Sequence, residues 1–338
     1  MRRTARIVVA ILLALAVTVG TAWAVLALWY RLPAPELARG IAGGLFALVG
    51  LISTIGLFGR FRLWSLTVFV AAIGTILIWW STIKPPAKAD WAVDVARQVT
   101  GTVNGDMLTL SNVRDFEWRS DTDFTERWAT RTYDLSKLRT LDLFMSYWGS
   151  PYMAHVMMSF GFDGGDYLTW SVEVRRLNGG VYSPLADIFK TDPLVLIAAE
   201  ERDVVGVRSN IRGEDVQLYR LRASPEVARP LLLEYVADAN ALSVTPEFYN
   251  SLTTNCATSV VKMMWAVGDK VPLDWQLIVD GYLPEYVYNH GALDTRLPLA
   301  ELIARSHIDA RARIAGLSPE YSRMIRAGVP SPHTVQTP

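Results

Sequence analysis

Cys256 is the single cysteine among 338 residues. It stands in the stretch Thr253-Thr254-Asn255-Cys256-Ala257-Thr258-Ser259-Val260-Val261. Thr254 or Asn255 is a good cap for a helix beginning at Cys256, and Val260, Val261, Met263, Met264 and Val267 repeat at apolar spacing behind it. A thiol in a first helical turn faces free backbone N–H groups and the positive end of the helix dipole. Both favour the thiolate and are expected to lower its pKa from about 8.5. The same N–H groups could hold an oxyanion formed when the sulfur attacks a carbonyl. The competing reading is a buried cysteine that packs as a small hydrophobe.

A thiol nucleophile needs a base. Four histidines are available, His155, His290, His307 and His333. His155 lies in a strand-like run, residues 154–162, followed by the turn Asp163-Gly164-Gly165-Asp166 and a returning strand over 167–175. This is a hairpin by turn chemistry and flanking alternation. Folding it back symmetrically sets His155 opposite residue 173 or 174, and the loop length decides which. With a three- or five-residue loop Glu173 lies directly across, and Ser171 is a diagonal neighbour on the same face. A carboxylate beside an imidazole fixes its tautomer and raises its basicity. The alternative is a strand histidine with a solvated glutamate. His290 and His307 fall in a polar, helical region and are weaker candidates.

The elements that position these groups follow two compositional regimes. Lys and Arg total 33, Asp and Glu total 33, and the net charge is zero, so nothing points to nucleic acid. One cysteine excludes an intrachain disulfide and a multi-cysteine zinc site; no metal or cofactor is expected. Residues 1–84 are almost free of acids and hold three uncharged apolar runs, 7–29, 41–58 and 63–82. Each is long enough to cross a bilayer, with Trp and Tyr at the ends. Arg2, Arg3 and Arg6 precede the first run, and Arg60 and Arg62 fill the second connection. If both basic sites are cytoplasmic, the chain from Lys84 onward lies on the far side. Ala22-Trp23-Ala24 resembles a signal-peptidase site, but the apolar run continues past it, so an uncleaved anchor is expected.

Beyond the linker Lys84-Pro85-Pro86-Ala87-Lys88 the pattern is mixed. A weak helical pattern covers 89–99. Strands are expected near 107–110, 115–118, 141–148, 194–199 and 216–219, and a helix from Pro225 to about Ala241. Glu200, Glu201, Arg202, Asp203, Arg208 and Arg212 form a charged cluster that could grip an anionic head group, or lie as a solvated, self-paired face. The aromatic and Met-rich approach to His155, including Tyr147 and Trp148, is either core or a lipid groove. Short helices are expected over 272–306, and a disordered tail from Val329.

The order His155…Glu173…Cys256, with the phrases Asp142 to Pro151, Ser159-Phe160-Gly161-Phe162, Ser171 to Arg175, Glu201 to Val204 and Pro246 to Cys256, resembles the bacterial family named for the Lnb N-terminal periplasmic domain. It also resembles the circularly permuted branch of the NlpC-type papain-like superfamily. The resemblance covers roughly residues 110–290. It implies an α+β fold, a permuted papain-like domain over 106–325 with an antiparallel sheet and a nucleophile helix, which would follow the three-span transmembrane anchor over 1–84 and a linker region over 85–105. A disordered tail would fill 326–338.

The resemblance further implies acyl transfer from a membrane phospholipid to a lipoprotein amine, in the inner membrane with the soluble domain in the periplasm. Cys256 would be the nucleophile, His155 the base, and Glu173, or Ser171, its orienting partner. Arg202, Trp148, Tyr147 and Asn255 are the candidate substrate contacts. The other readings are a cell-wall peptide amidase of the NlpC type and a non-enzymatic membrane module.

Overall fold

The computed structural model describes residues 2–266, 268 and 271–332. Val267, and the part of the expected disordered tail at 333–338 with His333, lie outside the described residues. The chain divides into two compact units, Met1–Pro85 with Ser183–Thr191, and Pro86–Tyr182 with Asp192–Pro338.

The first unit holds three helices, α1 (Arg2–Arg31), α2 (Glu36–Gly56) and α3 (Arg62–Thr82), all long and apolar enough to cross a membrane. Their outward side chains are largely apolar and exposed, as at Leu12, Leu45 and Leu63, which suits a hydrocarbon solvent. Small residues let the helices approach: a Cβ on Gly50 would lie 2.1 Å from the Thr21 hydroxyl. A short helix, α4 (Pro184–Asp187), belongs to this unit, and Phe189 just after it stacks on Tyr30 at 5.5 Å.

The second unit is built on a sheet. Its strands are β1 (Thr100–Asn104), β2 (Met107–Arg114), β5 (Trp128–Asp134), β6 (Leu138–Tyr147), β7 (Ala154–Phe162), β8 (Tyr167–Val174), β9 (Leu194–Ala199) and β10 (Asp215–Arg220). Among the described residues the order is β1-β2-β9-β8-β7-β6-β10, with β5 also paired to β2. The pairings are antiparallel except β2 with β9. A small ribbon joins β3 (Glu117–Trp118) and β4 (Phe124–Thr125).

Helices cover both faces of the sheet. On one side α6 (Pro225–Val244) and α7 (Cys256–Ala266) pack on Leu141, Leu143, Val156, Met158, Phe160 and Trp170. On the other, α5 (Glu201–Val204) and later helices pack on Phe144, Met157, Val195 and Ile197. These later helices are α10 (Asp309–Ala315) and α11 (Tyr321–Ile325), whereas α8 (Leu283–Asn289) and α9 (Leu299–Ser306) join the first core through Leu283, Tyr286 and Leu302. β7 is buried along its whole length because successive side chains serve opposite cores.

The structure departs from the sequence reading in four places. Residues 85–105 are not merely a linker, because β1 pairs with β2 from Thr100 to Asn104. The weak helical pattern at 89–99 shrinks to the single turn Val93–Val95. Residues 326–332 are not a loose tail. The Arg326 guanidinium binds Asp142 and Glu201 and lies 3.5 Å over the ring of Tyr167. The charged cluster is not a solvated face: Glu201 and Asp203 are fully buried. Asp203 accepts from Arg114 Nε, Phe116 N and Trp118 Nε1, and Glu201 takes Ser159 and Arg326. Buried carboxylates are tolerated because each is hydrogen-bonded and neutralised.

Removing one partner of such a set leaves uncompensated buried charge. Arg326→Met is expected to destabilise the second unit by about 3 kcal/mol, read as a lower urea midpoint for the full-length protein. An unchanged midpoint would show that the Asp142–Arg326–Glu201 set contributes nothing net.

Candidate active site

The β7–β8 hairpin fixes the base. Its pairs run Met157↔Ser171, Met158↔Trp170, Ser159↔Thr169, Phe160↔Leu168 and Gly161↔Tyr167. Continued, this register sets Glu173 opposite His155. Gly164 and Gly165 carry the turn with φ of 98° and 93°, a backbone region that glycine enters without a Cβ penalty. His155 Nε2 lies 2.6 Å from Ser171 Oγ and 3.2 Å from Glu173 Oε1. Ser171 Oγ donates to the same Oε1 at 2.6 Å. The two residues offered as alternative orienting partners therefore act together. With the serine hydrogen spent on Glu173, Nε2 must carry its own hydrogen to bond Ser171. In the neutral ring this leaves Nδ1 as the basic nitrogen.

Glu173 has a third donor that the sequence reading did not single out. Arg208 Nη2 reaches Oε1 at 3.0 Å. Burial pushes the Glu173 carboxyl up, but His155 and Arg208 outweigh it, with hydrogen bonds from His155 and Ser171. The group is held well below the usual carboxylate range. Arg208 is itself buried in a π-helical turn, Val207–Arg212, and donates to Val204 O at 2.8 Å. That turn follows α5, which Asp203 pins to β2 and β3 through Arg114, Phe116 and Trp118.

The nucleophile candidate arrives from the other layer. α7 opens at Cys256, and Asn255 caps it: Asn255 Oδ1 accepts from Thr258 N at 2.8 Å and from Thr258 Oγ1 at 2.9 Å. The Asn255 amide nitrogen donates to Ser251 O at 2.9 Å. Cys256, His155, Glu173 and Arg208 line one cavity of about 210 Å³, with Trp148, Arg176, Tyr182, Arg212, Glu214, Tyr249 and Asp280. Of the four substrate-contact candidates, Trp148 lines it. Arg202 pairs with Asp115 at 2.5 Å, Tyr147 donates to Gly281 O at 3.0 Å, and Asn255 is spent on the cap.

The thiol departs from the expected direction. Burial pushes Cys256 up, and the Asp280 and Glu173 charges add to this; backbone N–H groups of Val156 and Ala257 oppose them and lose. The helix terminus acts as expected, but desolvation of a thiol that is 4% exposed outweighs it. Asp280 Oδ2 lies 3.8 Å from Sγ, and Oδ1 accepts from Ala154 N at 2.9 Å. Burial pushes Asp280 up as well, against the Ala154 N–H and His155. The resting site thus favours a neutral thiol beside an ionised Glu173.

Among the described residues the other histidines, His290 and His307, sit elsewhere. His290 Nδ1 faces Tyr286 O at 2.8 Å. His307 Nδ1 lies 2.6 Å from Asp215 Oδ1. Among the described residues, Asp215, His307 and Asp309 have metal-ligand spacing, their ligand atoms within 4.8 Å of one another. They lie outside the Cys256 cavity, and their own hydrogen bonds account for the grouping.

A strand histidine hydrogen-bonded to serine and beside a glutamate, lining the same cavity as a helix-opening cysteine, defines a candidate cysteine–histidine site. Residues 124–281 match the model of the family described as the Lnb N-terminal periplasmic domain. The match includes His155, Ser171, Glu173, Arg208, Cys256 and Asp280. No curated protein and no solved structure matches the chain. The family match and the three apolar helices together fit a membrane protein with a periplasmic domain.

Asp280→Asn removes a negative charge facing the sulfur. It is expected to lower the pH at which Cys256 becomes reactive towards iodoacetamide, because the carboxylate opposes the thiolate. A midpoint that stays or rises would show that Asp280 does not oppose the thiolate.

Proposed function

We propose that this protein is a membrane-anchored periplasmic thiol acyltransferase of the inner membrane. Its papain-like site moves an acyl chain from a phospholipid to a lipoprotein N-terminal amine. The observation that carries the reading is the convergence of His155, oriented by Ser171 and Glu173, on the cavity that holds Cys256. It is supported by the family match over both strand and helix. The order histidine-strand before cysteine-helix is the permuted order.

His155 Nδ1 takes the thiol proton as Sγ attacks the ester carbonyl. The Sγ–acyl bond forms, the ester C–O bond breaks, and the proton passes to the leaving alkoxide. An amine then attacks the thioester, gives a proton to His155, and the thiol is restored. Glu173, held ionised, stabilises the imidazolium that appears in each half. Backbone N–H groups of Val156 and Ala257, which face the sulfur, would serve the oxyanion. The apolar helices keep the chain in the bilayer that holds both substrates, which raises their effective concentration.

A second reading, a cell-wall peptide amidase, draws on Arg176, Arg212 and Glu214 around the cavity, which would suit a charged peptide stem.

The full-length protein in phospholipid vesicles with a diacylated lipopeptide is expected to yield a lipopeptide heavier by one acyl group. Cys256→Ser is expected to yield none, and Glu173→Gln at least tenfold less. N-acylation that survives Cys256→Ser would exclude the thiol route. Muropeptide cleavage without lipopeptide acylation would favour the amidase.

A further inference from the structure

A second cavity, of about 340 Å³, lies beside the site on the α7 face of the sheet. Its size falls within the range of small-molecule sites, roughly 300–1,000 Å³. Its walls are mostly apolar: Leu141, Leu143, Val156 and Met158 from the sheet, Val260 and Val261 from α7, with Leu283, Tyr286 and Val287 opposite; Arg222 and His290 are its charged and titratable lining residues. Core packing rarely leaves a space of this size, since interiors fill to crystal-like density. The position is as informative as the lining. Cys256 and Ala154 line the first cavity; the next residue of the helix, Ala257, and Val156, two residues along the strand, line the second. One step along α7 and two along β7 therefore separate the sulfur from the apolar space.

We infer that this cavity is the acyl-chain pocket: the hydrocarbon of a fatty acyl group carried on Cys256 lies in it between α7, the sheet and the 283–287 helix. This rests on the acyltransferase reading and specifies its donor as a long-chain acyl ester. Burying each CH₂ there is worth about 0.8 kcal/mol, so chain length should be selected by the depth of the cavity. The polar cavity, with Arg176 and Arg212, is left for the donor's head group and the incoming amine. The two cavities divide the substrate by polarity.

The test is the first-turnover release of p-nitrophenol from acetyl, octanoyl and palmitoyl esters by the full-length protein, with Val260→Phe and Val287→Phe as filling variants. Wild type should react faster with octanoyl or palmitoyl than with acetyl ester. The variants should lose that preference at least tenfold while keeping the acetyl rate. An unchanged chain-length profile in the variants would overturn the pocket and leave the thiol chemistry standing. If Cys256 in the wild type reacts with none of the esters, the acyltransferase reading itself falls and the pocket with it.

A second measurement does not depend on the variants folding. Wild-type protein acylated from a palmitoyl ester with a diazirine in mid-chain is irradiated and digested. Crosslinks within 260–264 and 283–287 are expected. Crosslinks confined to Trp148, Arg176 or Tyr182 would place the chain in the polar cavity and overturn the inference.

Discussion

One carboxylate oxygen constrains the rest of the second unit. Glu173 Oε1 accepts from Ser171 Oγ and Arg208 Nη2 and lies 3.2 Å from His155 Nε2. An ionised carboxylate in this partly closed setting is stable only while its donors stay in place. The β7–β8 register supplies two of them. Arg208 must come from across the sheet face, and this explains the buried apparatus around α5. Asp203 locks α5 to Arg114, Phe116 and Trp118, and the π-helical turn then aims Arg208 at Glu173. A π-turn is costly as regular structure and is found where a side chain must be re-aimed. Charge that would weaken an ordinary core here fixes the tautomer of one histidine.

The same oxygen also bears on the proposed reaction of a buried, proton-holding thiol. Desolvation keeps Cys256 neutral at rest and Asp280 reinforces it. A buried neutral thiol is protected from adventitious alkylation and oxidation. In the proposed acyl transfer its proton leaves when a substrate carbonyl arrives. The standing charge of Glu173 then favours the imidazolium that receives it, and the first turn of α7 favours the developing oxyanion.

Much of this was legible in the sequence where it is local. The Asp163-Gly164-Gly165-Asp166 turn specified the hairpin, and counting back from it set residue 173 or 174 opposite His155; the strand register selects Glu173, with Ser171 on the same face. Thr254-Asn255 before an apolar-periodic run specified the cysteine helix, and the apolar runs before Lys84 specified three spanning-length helices. Arg208 and Asp280 were not legible in their roles, because each reaches the site through tertiary packing that no local pattern encodes. The 200–212 cluster read as a surface because composition cannot tell a solvated ion pair from a buried one. The thiol's direction was misjudged for a related reason: a helix N-terminus is visible in sequence, whereas the depth at which it is buried is not.

The central claim is that Cys256 carries an acyl group as a thioester. Intact mass of the full-length protein purified from membranes, before and after neutral hydroxylamine, tests this most directly. A fraction heavier by a fatty acyl group, removed by hydroxylamine and missing from Cys256→Ser, is expected. A fatty-acyl adduct that resists hydroxylamine, or that persists in Cys256→Ser, would contradict it.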